Sequence, residues 1–85
     1  MKLPFNLLRE YVTELVNEWN SIQQENHVWI SMKVDEPEGY ITVWDAITPE
    51  TMGSVGYLCQ GVVSMGYHFV HTWNKTEQRV ELLIF

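Results

Sequence analysis

The stretch HVWISMKVDEPEGYITVWD, His27 to Asp45, decides how this chain folds. Val28, Ile30, Met32 and Val34 alternate with their neighbours, and Gly39 to Asp45 is rich in β-branched and aromatic residues. Both patterns belong to half-buried strands. Between them DEPEG brings Pro37 and Gly39 into a polar turn, so the two runs read as a hairpin. A hairpin with one apolar face needs something laid over that face.

Upstream, PFNLLREYVTELVNEWNSIQQEN supplies a cover. Phe5, Leu8, Val12, Leu15, Trp19 and Ile22 step by three and four, which is one face of a helix. Pro4 suits a first helical turn. The opposite ridge carries Glu10, Glu14, Glu18 and, slightly offset, Glu25. Carboxylates four apart repel, so this ridge belongs in water or against a basic partner.

Downstream the pattern repeats in kind. Thr48-Pro49-Glu50 has the hydroxyl cap, proline and acid of a helix start. Met52, Val55, Cys59 and Val62, with Leu58 and Met65 beside them, make its apolar stripe, and Gly66 stands where a C-terminal cap glycine would. Gly53, Gly56 and Gly61 each weaken this helix by about 1 kcal/mol relative to alanine. Such a cost predicts close approach by another backbone. A phosphate loop is excluded, because GSVG lacks the preceding strand and the lysine. YHFVHTW, the turn NKTEQ and RVELLIF then read as a second hairpin. The expected fold is α+β, one domain over 1–85 in the order αββαββ. Its four-stranded, mainly antiparallel sheet carries both helices on one face.

Composition narrows the function. The chain has 85 residues, 46% hydrophobic and 13% aromatic, enough for a single core. Eleven acidic against five basic residues give a net charge of −6, which repels nucleic-acid backbones. Cys59 is the single cysteine, so neither an internal disulfide nor a cysteine-based zinc cluster can form. Pro4, Asn6 and Arg9 break any signal-peptide core, and no run is apolar for the length of a membrane span. A cytoplasmic location and no membrane partner are expected.

Chemistry is sparse. His68 and His71 fall on opposite faces of a strand, so they cannot share an ion as a helical pair would. His27 has no carboxylate at matching spacing. Cys59 lies on an apolar helix stripe, where a thiol behaves as a small hydrophobe. No serine elbow, paired-carboxylate motif or nucleotide turn occurs. The expectation is a protein without metal, cofactor or catalytic role.

Surfaces say more. From Thr51 through Asn74 there is no Asp, Glu, Lys or Arg. The outward face of the second helix would hold Gly53, Ser54, Tyr57, Gln60, Gly61 and Ser64, and such a charge-poor face beside a tyrosine suits a protein contact. Across the sheet, Val28, Ile30, Ile41, Val43, Val80, Leu82 and Ile84 should meet the helices, leaving Trp29, Tyr40, Trp44, Leu83 and Phe85 on the far face. In the third strand Tyr67, Phe69, His71 and Trp73 are placed inward, with His68, Val70 and Thr72 outward. Trp29, Tyr40 and Trp44 then want a cover. These features predict an acidic protein-binding module, self-associating as a homodimer and acting as an inhibitor or adaptor, with a basic protein among its candidate partners. Phage-encoded inhibitors of host enzymes and defence systems are often of this size and charge, an association only. Single-stranded nucleic acid stacked on Trp29 and Trp44 is the first alternative, short of a basic rim beyond Lys33 and Arg79. A small enzyme or ligand-binding domain is the second.

Overall fold

The computed structural model describes residues 2–22, 30–44 and 52–85, with side chains described for 2–21, 30–44 and 56–85. The chain is α+β: two helices and a four-stranded antiparallel sheet among these residues. Helix α1 runs Phe5–Ile22, strands β1 and β2 Ser31–Asp35 and Tyr40–Trp44, helix α2 Met52–Ser64, and strands β3 and β4 Phe69–Asn74 and Arg79–Ile84. Strand order is β1-β2-β4-β3, so the two hairpins meet through their second strands. The expected helix start at Thr48 to Glu50 and strand residues His27, Val28 and Trp29 lie outside the described residues.

One core cluster holds the elements together. It takes Leu8, Val12, Val16 and Trp19 from α1 and Leu58, Cys59 and Val62 from α2. Ile30, Ile41, Val43, Tyr67, Leu82 and Ile84 come from the strands and their flanks. Val16 was missing from the expected stripe of α1, whereas Leu15 is only half-buried against the cluster. Each fully buried aliphatic side chain contributes about 1.5–3 kcal/mol. Asn20 seals the junction between α1 and β1. Its side-chain N–H donates to the Ile30 carbonyl at 2.9 Å, and its oxygen accepts the Ile30 N–H at 2.7 Å. The amide thus takes the place of a neighbouring strand.

The end of α2 follows from Gly66. At φ 88° it adopts the left-handed conformation that glycine takes without strain. Its N–H donates to the Val63 carbonyl at 3.0 Å, and Tyr67 N–H donates to Val62 at 3.0 Å. This is the six-to-one and five-to-two bonding of a Schellman cap, with the buried pair Tyr67 and Val62 at its apolar contact. The segment before α1 is tied to the same corner. Leu3 N–H donates to Met65 O at 2.9 Å, and the Tyr67 hydroxyl donates to Leu3 O at 2.8 Å.

Both hairpins close by the same turn. Asp35 Oδ1 accepts the Glu38 N–H, and Asn74 Oδ1 accepts the Glu77 N–H, each at 3.1 Å. Gly39 and Gln78 follow with positive φ, 75° and 53°. The interval from Asp35 to Asn74 is also that from Gly39 to Gln78 and from Val43 to Leu82, thirty-nine positions in each case. Val43 and Leu82 face each other across β2 and β4, so the hairpins are related by a local two-fold through that pair.

Candidate interaction surface

The face of the sheet turned away from the core carries two of the expected contact residues, and both are already engaged within the chain. Trp44 lies under Arg79, whose guanidinium carbon is 4.1 Å from the ring centroid. Glu81 fixes that cover: one carboxylate oxygen accepts Arg79 Nε–H at 3.2 Å and the other Asn74 Nδ2–H at 3.0 Å. Cross-strand pairing of Trp44 with Glu81 brings the three together. Tyr40 sits beside Asp35, its direct partner in the β1–β2 ladder. Its phenol is pushed above the ordinary tyrosine range by its hydrogen bond to the Asp35 carboxylate and by that charge. Trp44 and Tyr40 are half-buried rather than bare. A shallow polar hollow of about 290 Å³ runs between them, lined by Lys33, Thr42, Glu77 and Arg79 among others. Its mixed charges give no basic track for a phosphate backbone. Trp29 lies outside the described residues.

At the other end of this face an apolar cluster remains. Phe85 is 42% exposed and Val70 41%, and Val70 faces Leu83 across the ladder. His68 stacks obliquely on Phe85, with ring centroids 5.8 Å apart, and the two exchange backbone hydrogen bonds at 2.7 and 2.9 Å. His71 meets Phe69 edge-on on the opposite face, at 6.5 Å. Both histidines act as rungs of the sheet. Among the described residues no three His, Cys, Asp or Glu side chains come together as a metal site.

The helical candidates separate. Tyr57 is 61% exposed and Gln60 and Ser64 are also open to solvent. Gly61 is half-buried, because the ring of Tyr11 from α1 lies against it, closer than any Cβ would permit. The close approach inferred from the glycines is therefore by a side chain, not a backbone. Gly56 has nothing within 4 Å of where a Cβ would stand. Gly53 lies in α2, with its surroundings undescribed. Glu10, Glu14 and Glu18 form an exposed ridge along α1, while Arg9 turns aside to pair with Glu36 in the β1–β2 turn. That pair is about half exposed at each end and contributes little.

Four residues that the sequence placed inside, or passed over, lie on the surface: His71, Trp73, Val80 and Val63. Register puts Phe69, His71 and Trp73 on the same face as Leu82 and Ile84, the core face. Only Phe69 packs on the core cluster, however, and Trp73 is 58% exposed. Val80, paired with Trp73, is 42% exposed although its face is the inner one. Cover runs out along β3 beyond Phe69, so inward parity there does not mean burial. Val63 of α2 is 57% exposed and borders a groove of about 450 Å³ with Cys59, Gln60, Ser64 and Phe69. Burial raises the Cys59 thiol above its usual range, which favours the protonated form.

These residues share one flank of the molecule. Among the described residues strand β3 is an edge of the sheet, and neither it nor the described part of α2 carries a charged side chain. Soluble proteins ordinarily guard such an edge with lysine, proline or a bulge. Strand β1, the opposite edge, carries Lys33 and Asp35. No helix among the described residues is long and apolar enough to cross a membrane. No protein-family model, curated protein or solved structure matches the chain.

Proposed function

We propose that the chain is a small acidic, non-catalytic protein-binding module that self-associates through its charge-free flank and serves as an inhibitor or adaptor. In this reading both helices lie on one face of the sheet, and contact is made at the side where α2 meets β3. The observation that carries it is the coincidence of an unguarded edge strand with exposed Val63, Trp73 and Val80. Apolar area left in water costs about 25 cal/mol per Å², and a single tryptophan presents up to ~250 Å². The rest of the surface carries the charge of −6. Interface centres lose charges and gain aromatics, as this flank does.

Light scattering coupled to size exclusion tests the proposal with two charge substitutions. Trp73→Lys puts a cation on the flank at an exposed position, and Glu14→Lys changes charge on the far ridge of α1. The expected result is a dimer for the parent chain and for Glu14→Lys, reduced to 10.0 kDa by Trp73→Lys. A dimer indifferent to Trp73→Lys, or lost with Glu14→Lys, overturns the choice of flank.

A further inference from the structure

We infer that the second copy binds by extending the sheet, β3 against β3, with the two strands antiparallel and His71 on the two-fold axis. The inference deepens the proposed self-association and rests on it.

Backbone geometry sets which groups are available. His68 and Phe85 exchange both of their backbone hydrogen bonds. In an antiparallel ladder such pairs alternate with pairs that point their groups the other way. The even-numbered residues His68, Val70, Thr72 and Asn74 are therefore turned toward β4. Phe69, His71 and Trp73 direct their N–H and C=O groups to the free edge, where β3 has no neighbour among the described residues. An added strand must bond to those three.

A second copy of β3 can do so in a register that uses all three. With His71 opposite His71, Phe69 of each copy faces Trp73 of the other, and both pairs are hydrogen-bonded. Paired residues share a face, and Phe69, His71 and Trp73 all lie on the core face. The match therefore sets aromatic against aromatic twice. It also joins two unfilled features. Phe69 forms one wall of the groove with Cys59, Gln60, Val63 and Ser64. Trp73, 58% exposed in a single chain, is delivered by the register to the side of that Phe69 in the other copy. Each copy thereby offers a groove and the side chain to fill it, as a two-fold contact requires.

Charge selects a second copy as the occupant. A basic or acidic strand finds no counter-charge here, because residues from Thr51 through Asn74 carry none. Two copies of a chain of charge −6 approach with least repulsion through the side that lacks charge. Adding strands at an exposed edge is a recurring mode of protein recognition.

Amide exchange followed residue by residue by NMR, at low and high protein concentration, tests this arrangement. The amides of Val70, Thr72 and Asn74 should be protected at both concentrations. Those of Phe69, His71 and Trp73 should exchange freely when dilute and slow by about tenfold or more when concentrated. A companion variant, His71→Pro, removes only an N–H that points off the edge, where proline is tolerated, and should remain folded and become monomeric. Should that variant unfold, exchange in the parent chain decides alone. A dimeric mass with these three amides unprotected overturns the β3 pairing and leaves self-association standing. Protection of the three in dilute monomer overturns the pairing as well. A mass of 10.0 kDa at every concentration overturns both.

Discussion

The ring of Tyr11 lies directly against Gly61, locking α1 to α2 at a point where α2 has no side chain to interfere. The Tyr11 hydroxyl adds a hydrogen bond to the Tyr57 carbonyl at 3.3 Å. The two helical glycines with described surroundings should therefore respond oppositely to alanine. Gly56→Ala meets nothing and should stabilise the fold by about 1 kcal/mol through helix propensity. Gly61→Ala must displace Tyr11 and should lose that gain or become destabilising. In a Tyr11→Ala background the same substitution should stabilise by about 1 kcal/mol. Urea denaturation of the parent chain and the four variants, Tyr11→Ala alone included, checks the change of sign.

Asn20 satisfies two backbone groups of Ile30, a residue only 3% exposed. Removing the amide leaves both groups short of partners at a buried site. Asn20→Ala should cost about 2 kcal/mol, while Asn17→Ala, on the exposed side of the same helix, should change stability by less than about 0.5 kcal/mol. Thermal unfolding of both variants measures the difference.

The twin turns make a paired prediction. Gln78 holds φ at 53°, a conformation that costs an ordinary residue roughly 1 kcal/mol. Gln78→Gly should stabilise by a few tenths to about 1 kcal/mol, the gain being trimmed by glycine's greater freedom when unfolded. Gly39→Gln, the reverse change in the first hairpin, should destabilise by about 1 kcal/mol. Denaturant midpoints of the two variants should therefore move in opposite directions.

Much of this architecture was legible because it rests on local chemistry. The period of Leu8, Val12 and Trp19, the glycine at position 66 and the polar turn at Pro37 each announce their element. The shared turn was harder to see. Asp35 and Asn74 differ in type although each accepts the equivalent N–H, and Gly39 and Gln78 differ although both take a positive φ. Burial along β3 was misjudged for a different reason. Alternation fixes which face Trp73 occupies, but the cover on that face depends on how far α2 extends over the strand. No residue within β3 reports that length. Trp44 likewise was assigned to the correct face, yet its cover comes from Arg79 and Glu81, thirty-five or more positions away in sequence.

That internal cover bears on nucleic-acid binding. With Trp44 under Arg79, the tryptophan of the far face offers a base little free ring surface. Fluorescence anisotropy with a mixed single-stranded DNA should show no binding at physiological salt. Salt-sensitive binding abolished by Trp44→Ala would reinstate the far face as a stacking platform.

The most direct test of the central claim is sedimentation equilibrium of the unmodified chain over a range of concentration and salt. Weight-average mass should rise from 10.0 kDa toward twice that value as concentration passes through the micromolar range. Because the contact carries no charge while each copy carries −6, added salt should screen the repulsion and tighten association. A mass fixed at 10.0 kDa up to about 1 mM, where even a weak contact of −4 kcal/mol would register, would contradict the account. So would a dimer that salt dissociates, since that behaviour belongs to an interface built on ion pairs.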